Sequence, residues 1–179
     1  MSREIPASGK AALTVSRSEL LIDGSDKEFR RLVHNLFAFF ARHEDIRNGH
    51  ARVVGLAGVE YSVLISISHI SVSGPVNIRT VADHLHVSGT FITRTVKMLE
   101  RKGLVIKTVD EADRRRVNVA VTEWGRTELN RLSVIQRQVN DVEFGPLSAE
   151  EFGKLNDIVE RLISSSETAL AMQDYLAKR

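Results

Sequence analysis

Asn77-Ile78-Arg79-Thr80-Val81-Ala82-Asp83-His84-Leu85-His86-Val87-Ser88-Gly89-Thr90-Phe91-Ile92-Thr93-Arg94-Thr95-Val96-Lys97-Met98-Leu99-Glu100-Arg101 decides the fold. Asn77 and Ser88 carry short side-chain oxygens that can accept from the unpaired N–H groups opening a helix. They predict two helices, over residues 78–85 and 89–101, joined by a tight turn at His86-Val87 and stopped by Gly103. Ala82 is small and lets the helices cross closely. Leu85, Val87, Ile92 and Val96 fall where they pin the pair together, and Leu99 continues that inner face. Ser88, Thr90, Thr93, Arg94 and Lys97 occupy the remaining faces. Hydroxyls suit phosphates and bases alike, the Arg94 guanidinium can fork onto a guanine edge, and the Lys97 ammonium suits a phosphate. Polar faces of this kind are common on ordinary helices, so this one alone assigns nothing.

The residues that follow change the weighting. Residues 104–109 and 117–121 are rich in Val and Ile and read as two strands, with Asp110-Glu111-Ala112-Asp113-Arg114-Arg115-Arg116 between them. A guanidinium at the tip of a ribbon can enter a narrow minor groove. Asp113 can hold such an arginine by a bidentate pair. Two short helices followed by a hairpin make a winged helix-turn-helix, which points to double-stranded DNA as partner. The expected DNA-binding set is Ser88, Thr90, Thr93, Arg94, Lys97, Asp113, Arg114, Arg115 and Arg116.

Outward from this centre the chain is mainly helical. Ser25 and Glu28 have capping-box spacing and open a helix expected to end near residues 46–48. Residues 49–58 read as a loop. Residues 59–70 are ambiguous: Ile65-Ser66-Ile67-Ser68 alternates like a strand, but length and context favour a helix. Thr122 opens a long helix to about residue 142, Gly145-Pro146 breaks it, and a Ser148/Glu151 capping box starts a last helix to about residue 175. Residues 1–24, with Pro6, Gly9 and Gly24 as breakers, are expected to form a flexible extension. The fold class expected is mainly α with a small β-wing. It consists of a winged helix-turn-helix over about 59–122 within a domain spanning 25–179, with helices over about 25–48 and 123–175 for dimerisation. Leu32, Leu36 and Phe40 lie on one face of the first helix while Phe37 and Phe39 turn away. The last helix shows Phe152, Leu155, Ile158, Val159, Leu162, Ile163 and Leu170. A lobe of this size cannot cover all these faces, and a homodimer is the economical way to bury them.

Composition narrows the remaining classes. Among 179 residues, 25 basic and 23 acidic side chains leave a net charge of +2, too small to name a partner, so the local distribution of charge carries that argument. There is no cysteine, which removes disulfides, thiolate metal sites and thiol redox switches from this chain. No run approaches 18 apolar residues, and the first residues lack an apolar signal core, so the expected location is the cytoplasm, away from membranes. No GxSxG, Walker loop or HExxH is present, and no enzyme or cofactor is expected. The six histidines include His84 and His86, two apart and poorly placed to share a helix face, and His43 and His50 about a helix end. Neither pair has metal-ligand spacing, so no metal site is expected.

Residues 74–88, 93–105 and 113–126 together resemble the DNA-binding lobe, recognition helix and wing of the MarR family, with Glu60-Tyr61-Ser62-Val63-Leu64 similar to its second helix. The likeness spans roughly residues 28–175 and is most specific in the wing. It implies a triangular homodimer on a pseudo-palindromic operator, usually as a repressor. It implies that Arg115 enters the minor groove with Asp113 as its partner. It also implies a small-molecule effector, often a phenolic or aromatic carboxylate, for which His34, Phe37, His43 and Tyr61 are candidate contacts and Arg52 a candidate carboxylate partner. His86 stands where such turns often have glycine, and Phe91 replaces a residue usually small and polar. The alternatives are a winged helix whose wing binds an acidic protein and not DNA, or an activator in place of a repressor.

Overall fold

The computed structural model describes residues 12–109 and 117–178. The elements run α1 (Lys27–Val53), α2 (Gly58–Ile70), α3 (Ile78–Leu85), α4 (Gly89–Arg101), β1 (Val105–Val109), β2 (Val117–Val121), α5 (Glu123–Phe144) and α6 (Ala149–Ala177). Single 3-10 turns stand at Ser18–Leu20 and Ser71–Ser73. The fold is thus mainly helical with one small antiparallel sheet. The chain divides after Thr122 into two compact units.

The first unit is built around α2, which packs on α1, α3, α4 and β2. Val63, Leu64 and Ile67 from α2, Val81 and Ala82 from α3, Ile92, Val96 and Leu99 from α4, and Val105 and Val119 from the strands are all buried. Full burial of a Val, Leu or Ile side chain is worth about 1.5–3 kcal/mol. That sum explains why the ambiguous segment is a helix: neighbours on several sides outweigh the strand preference of its β-branched residues.

The two strands pair in register from Val105↔Val121 to Val109↔Val117. A third short rung braces them, since the Val119 N–H donates to the Val76 carbonyl at 2.7 Å and Asn77 bridges Asn118. The wing is therefore tied directly to the residues that open α3.

Both helices of the helix-turn-helix end in the same hydrogen-bond pattern. At the close of α3, His86 takes a left-handed conformation (φ 53°, ψ 42°), its N–H donating to Asp83 and that of Val87 to Ala82. After α4, Gly103 (φ 73°) does likewise, with its N–H on the Glu100 carbonyl and that of Leu104 on Leu99. Each pair satisfies carbonyls that the helix end would otherwise leave open. His86 thus adopts the geometry that glycine favours.

Several sequence expectations are corrected here. Ser25 does not cap α1: its hydroxyl oxygen accepts only from the Lys27 N–H, at 3.3 Å, and Asp26 is the N-cap residue. The Asp26 carboxylate points backwards, accepting from the Thr14 N–H at 2.8 Å, the Thr14 hydroxyl at 2.7 Å and Arg30 Nε at 3.0 Å. These donors, Arg30 foremost, hold its pKa far below the usual carboxylate range. The Arg30 guanidinium also donates to the Ala12 carbonyl at 2.7 Å. From Ala12 onward the expected flexible extension is thus fastened to the start of α1, by way of a tight Ile22–Ser25 turn with Asp23 and Gly24 at positive φ. Helix α1 runs on to Val53, five residues past the upper end expected, because His50 and Ala51 are buried and the helix closes on a left-handed Gly55. Of the expected pins between α3 and α4, Ile92 and Val96 are buried, as are Ala82 at the crossing and Leu99 beyond, but Val87 is 39% exposed and Leu85 only half-buried. Val81, fully buried, takes their place.

The second unit holds α5 and α6, the latter opened by the expected capping box. Ser148 Oγ accepts from the Glu151 N–H at 3.3 Å, and the Glu151 carboxylate accepts from the Ser148 N–H at 2.9 Å. No residue of α6 is buried within the single chain.

Candidate nucleic-acid interface

Helix α4 has two faces with opposite tasks. Ile92, Thr95, Val96 and Leu99 lie buried against the unit's core. Thr90, Thr93, Arg94 and Lys97 are all exposed, as are Ser88 before the helix and Arg101 at its end. The five expected reading residues on this helix therefore share its solvent side. Ser88 Oγ accepts from the Phe91 N–H at 3.2 Å, which leaves the hydroxyl proton available to a phosphate. Thr93 donates to the Gly89 carbonyl at 2.9 Å, which leaves its oxygen lone pairs as acceptors. Phe91 is 38% exposed and stands on the rim of this face.

A concave surface of about 680 Å³ adjoins this face. It is lined by Asn77, Arg79 and Thr80 at the start of α3, by Gly89 and Thr93 of α4, and by Val117 at the foot of the wing. Its acid, Asp83, sits 3.6 Å from Arg79 in an exposed pair. That pair is worth little in water and is readily exchanged for a phosphate contact. Arg79 and Thr80 were not singled out by sequence reasoning. Their place at the first turn of the helix preceding the reading helix was the signal available.

Two ion pairs hold α4 in place. Lys102, just after the helix, reaches Glu60 Oε2 at 2.7 Å and the Gly55 carbonyl at 3.2 Å. Glu60 is buried and also accepts from the Ala57 N–H at 2.9 Å, capping α2. At the wing side, Lys107 of β1 meets Glu100 of α4 at 2.7 Å. Sequence reasoning missed both pairs, because each joins residues from different elements and no local spacing marks them.

Asp113, Arg114, Arg115 and Arg116 lie outside the described residues. The strands on either side of them, β1 and β2, are placed as expected.

Of the five residues expected at an effector site, the four with rings fall into separate ring pairings. His34 and Phe37 meet edge to face at 6.5 Å on the exposed side of α1. His43 stacks on Phe39 at 5.7 Å, while Tyr61 is buried and meets His50 edge-on at 6.2 Å. Arg52 is exposed in the last turn of α1. None of the five lines the concave surface beside α4.

A helix with a buried inner face and a cationic, hydroxyl-rich outer face, set between a left-handed turn and a two-stranded wing, defines a winged helix-turn-helix. Residues 59–117 match the model of the MarR family. The chain is similar to the HTH-type transcriptional regulator SarZ of Staphylococcus epidermidis, 25% identical over 130 residues that cover 73% of this chain and 86% of the relative. It is also similar to the HTH-type transcriptional repressor NicR of Pseudomonas putida, 26% identical over 136 residues, covering 76% and 84%. Among solved structures, the transcriptional regulator BldR of Sulfolobus solfataricus superposes with a TM-score of 0.62 at 26% identity, covering 75% of this chain and 96% of that one. A mutant MarR of Escherichia coli, solved in complex with operator DNA, shares the fold with a TM-score of 0.62 at 18% identity, covering 75% and 95%. Over residues 59–117 the chain thus carries a winged helix-turn-helix similar to that of MarR-family transcriptional regulators.

Proposed function

We propose that the protein represses transcription as a homodimer bound to a pseudo-palindromic operator and is released by a small ligand, an aromatic carboxylate being the class that fits. The observation that carries the DNA-reading half is the outer face of α4, where Ser88, Thr90, Thr93, Arg94 and Lys97 are all exposed while the opposite face is locked into the core. In a dimer, two such helices dock in successive major grooves when spaced about one turn of duplex, ~34 Å. The name of the relative NicR, a repressor, supports the sign of regulation. Arg115 and Asp113 enter this reading through the family resemblance. The effector half draws on the exposed rings of His34 and Phe37 and on the exposed Arg52 cation. A ligand favouring another spacing of the two lobes lowers affinity by its differential binding to the two states.

The deciding experiment selects duplexes from a genomic pool with the full-length protein, then titrates the winning site. A palindromic footprint, steep weakening with salt and loss of binding in Arg115→Ala support the proposal. In a promoter-reporter strain, expression rises when the protein is deleted. Selection that yields no enriched duplex favours the winged helix as a protein-binding module, and a fall in reporter output on deletion favours an activator.

A further inference from the structure

We propose that His69 and His84 form a binding site for a divalent transition-metal ion, with copper(II) the best fit. His69 lies in the last turn of α2 and His84 in the last turn of α3. Folding brings their rings together in a tilted arrangement, with centroids 5.9 Å apart and planes inclined by 38°. Both side chains are exposed, so an ion can reach them without any opening of the core. Their separation matches what a shared ion needs. With each metal–nitrogen bond about 2.0–2.1 Å, two imidazoles on one ion have ring centres about 4.5–6.5 Å apart, according to the angle between the bonds.

The chemistry of the pair favours a ligand over a purely structural contact. Each imidazole carries a ring nitrogen that can donate to a metal ion, and neither ring is buried in the core. An ion that binds both turns this juxtaposition into mutual support. Among the described residues no third His, Cys, Asp or Glu joins them in a cluster, so water completes the coordination sphere. An open two-imidazole site has no thiolate to favour zinc. Its affinity follows the general order for divalent first-row ions on nitrogen donors, with copper(II) above nickel(II) and zinc(II). The bound ion would clamp the end of α2 to the first helix of the helix-turn-helix. The residues lie on different helices, so sequence spacing could not reveal them.

Isothermal titration of the full-length protein with copper(II) chloride tests the site, alongside H69A, H84A and H86A. The expected result is one ion per chain in the parent and in H86A, with affinity reduced about tenfold or more in H69A and in H84A. Electron paramagnetic resonance of the loaded parent should show coupling to two imidazole nitrogens. Metal-free thermal unfolding of each variant serves as the folding control, and H69Q and H84Q replace any alanine variant that fails it. Absence of uptake at about 100 µM copper overturns the proposal, as does uptake within twofold of the parent in both H69A and H84A or an equal loss in H86A.

Discussion

His86 holds a left-handed backbone at φ 53° in the turn on which the placement of α4 depends. An L-residue pays roughly 1–2 kcal/mol for that conformation, and glycine escapes it at the cost of roughly 0.5–1 kcal/mol of chain entropy. His86→Gly is therefore expected to raise unfolding stability by about 0.5–1 kcal/mol. Urea denaturation would show it as a higher midpoint at unchanged slope, and a lower midpoint would mean that the imidazole supplies contacts worth more than the strain. The residue reading was good here because the hydrogen-bond demands of a turn are local. The same locality made the Asn77 and Ser88 caps legible, and each now accepts from the N–H three residues on. The pins were less legible. Choosing among Val81, Leu85 and Val87 requires knowing how α3 is rotated against its neighbours, which helical spacing alone does not fix.

At the scale of elements, the placement of α4 rests on a buried carboxylate. The side chain of Glu60 is 2% exposed and that of its partner Lys102 is 40% exposed. Removing the ammonium strands a desolvated charge, whereas water can partly repair the exposed side of the pair. Lys102→Met is expected to cost about 1–3 kcal/mol of stability, with Glu60→Gln in the same background recovering part of the loss. A double-mutant cycle in urea measures the coupling, and additive effects of the two changes would remove the ion pair as the anchor. The other end of the unit depends on Asp26. Its folded pKa is depressed by Arg30 and by the two Thr14 donors, so its contribution is fully present above the unfolded value of about 3.9 and is lost as pH falls through the lower folded value. Asp26→Asn should accelerate hydrogen exchange at the Thr14 amide at neutral pH. In the parent, acidification should lower the protection of that amide, relative to its intrinsic exchange rate at each pH, only below about pH 4. Equal protection in parent and variant at pH 7 would refute the tether. Neither anchor was visible in the chain itself. Glu60 and Lys102 stand far apart in sequence, and the Ser25/Glu28 spacing that resembled a cap lost to Asp26, whose donors come from the segment before it.

For the molecule as a whole, the question is what covers the helices left uncovered. Along α6, Leu155, Ile158, Val159, Leu162 and Ile163 are each 40–53% exposed, and Phe37 and Phe40 on α1 are 66% and 57% exposed. Monomeric proteins seldom leave apolar stripes of this length in water. Helix amphipathicity made the stripe readable from sequence, whereas the partner face is a property of two chains and is written in neither helix alone. The proposed dimer predicts that the double substitution Ile158→Asp/Leu162→Asp drives the protein to monomers in sedimentation equilibrium, since each carboxylate would otherwise be buried without a partner. The first unit has its own core around α2, so far-ultraviolet circular dichroism should keep the signal of α1 to α4 and the wing. Duplex affinity should fall by about two to four orders of magnitude, because each half-site would then be held by one lobe without the effective concentration that linkage provides. A variant that still sediments as a dimer would move the interface off this stretch of α6. One that is monomeric yet binds the full operator as tightly as the parent would show that one winged lobe suffices.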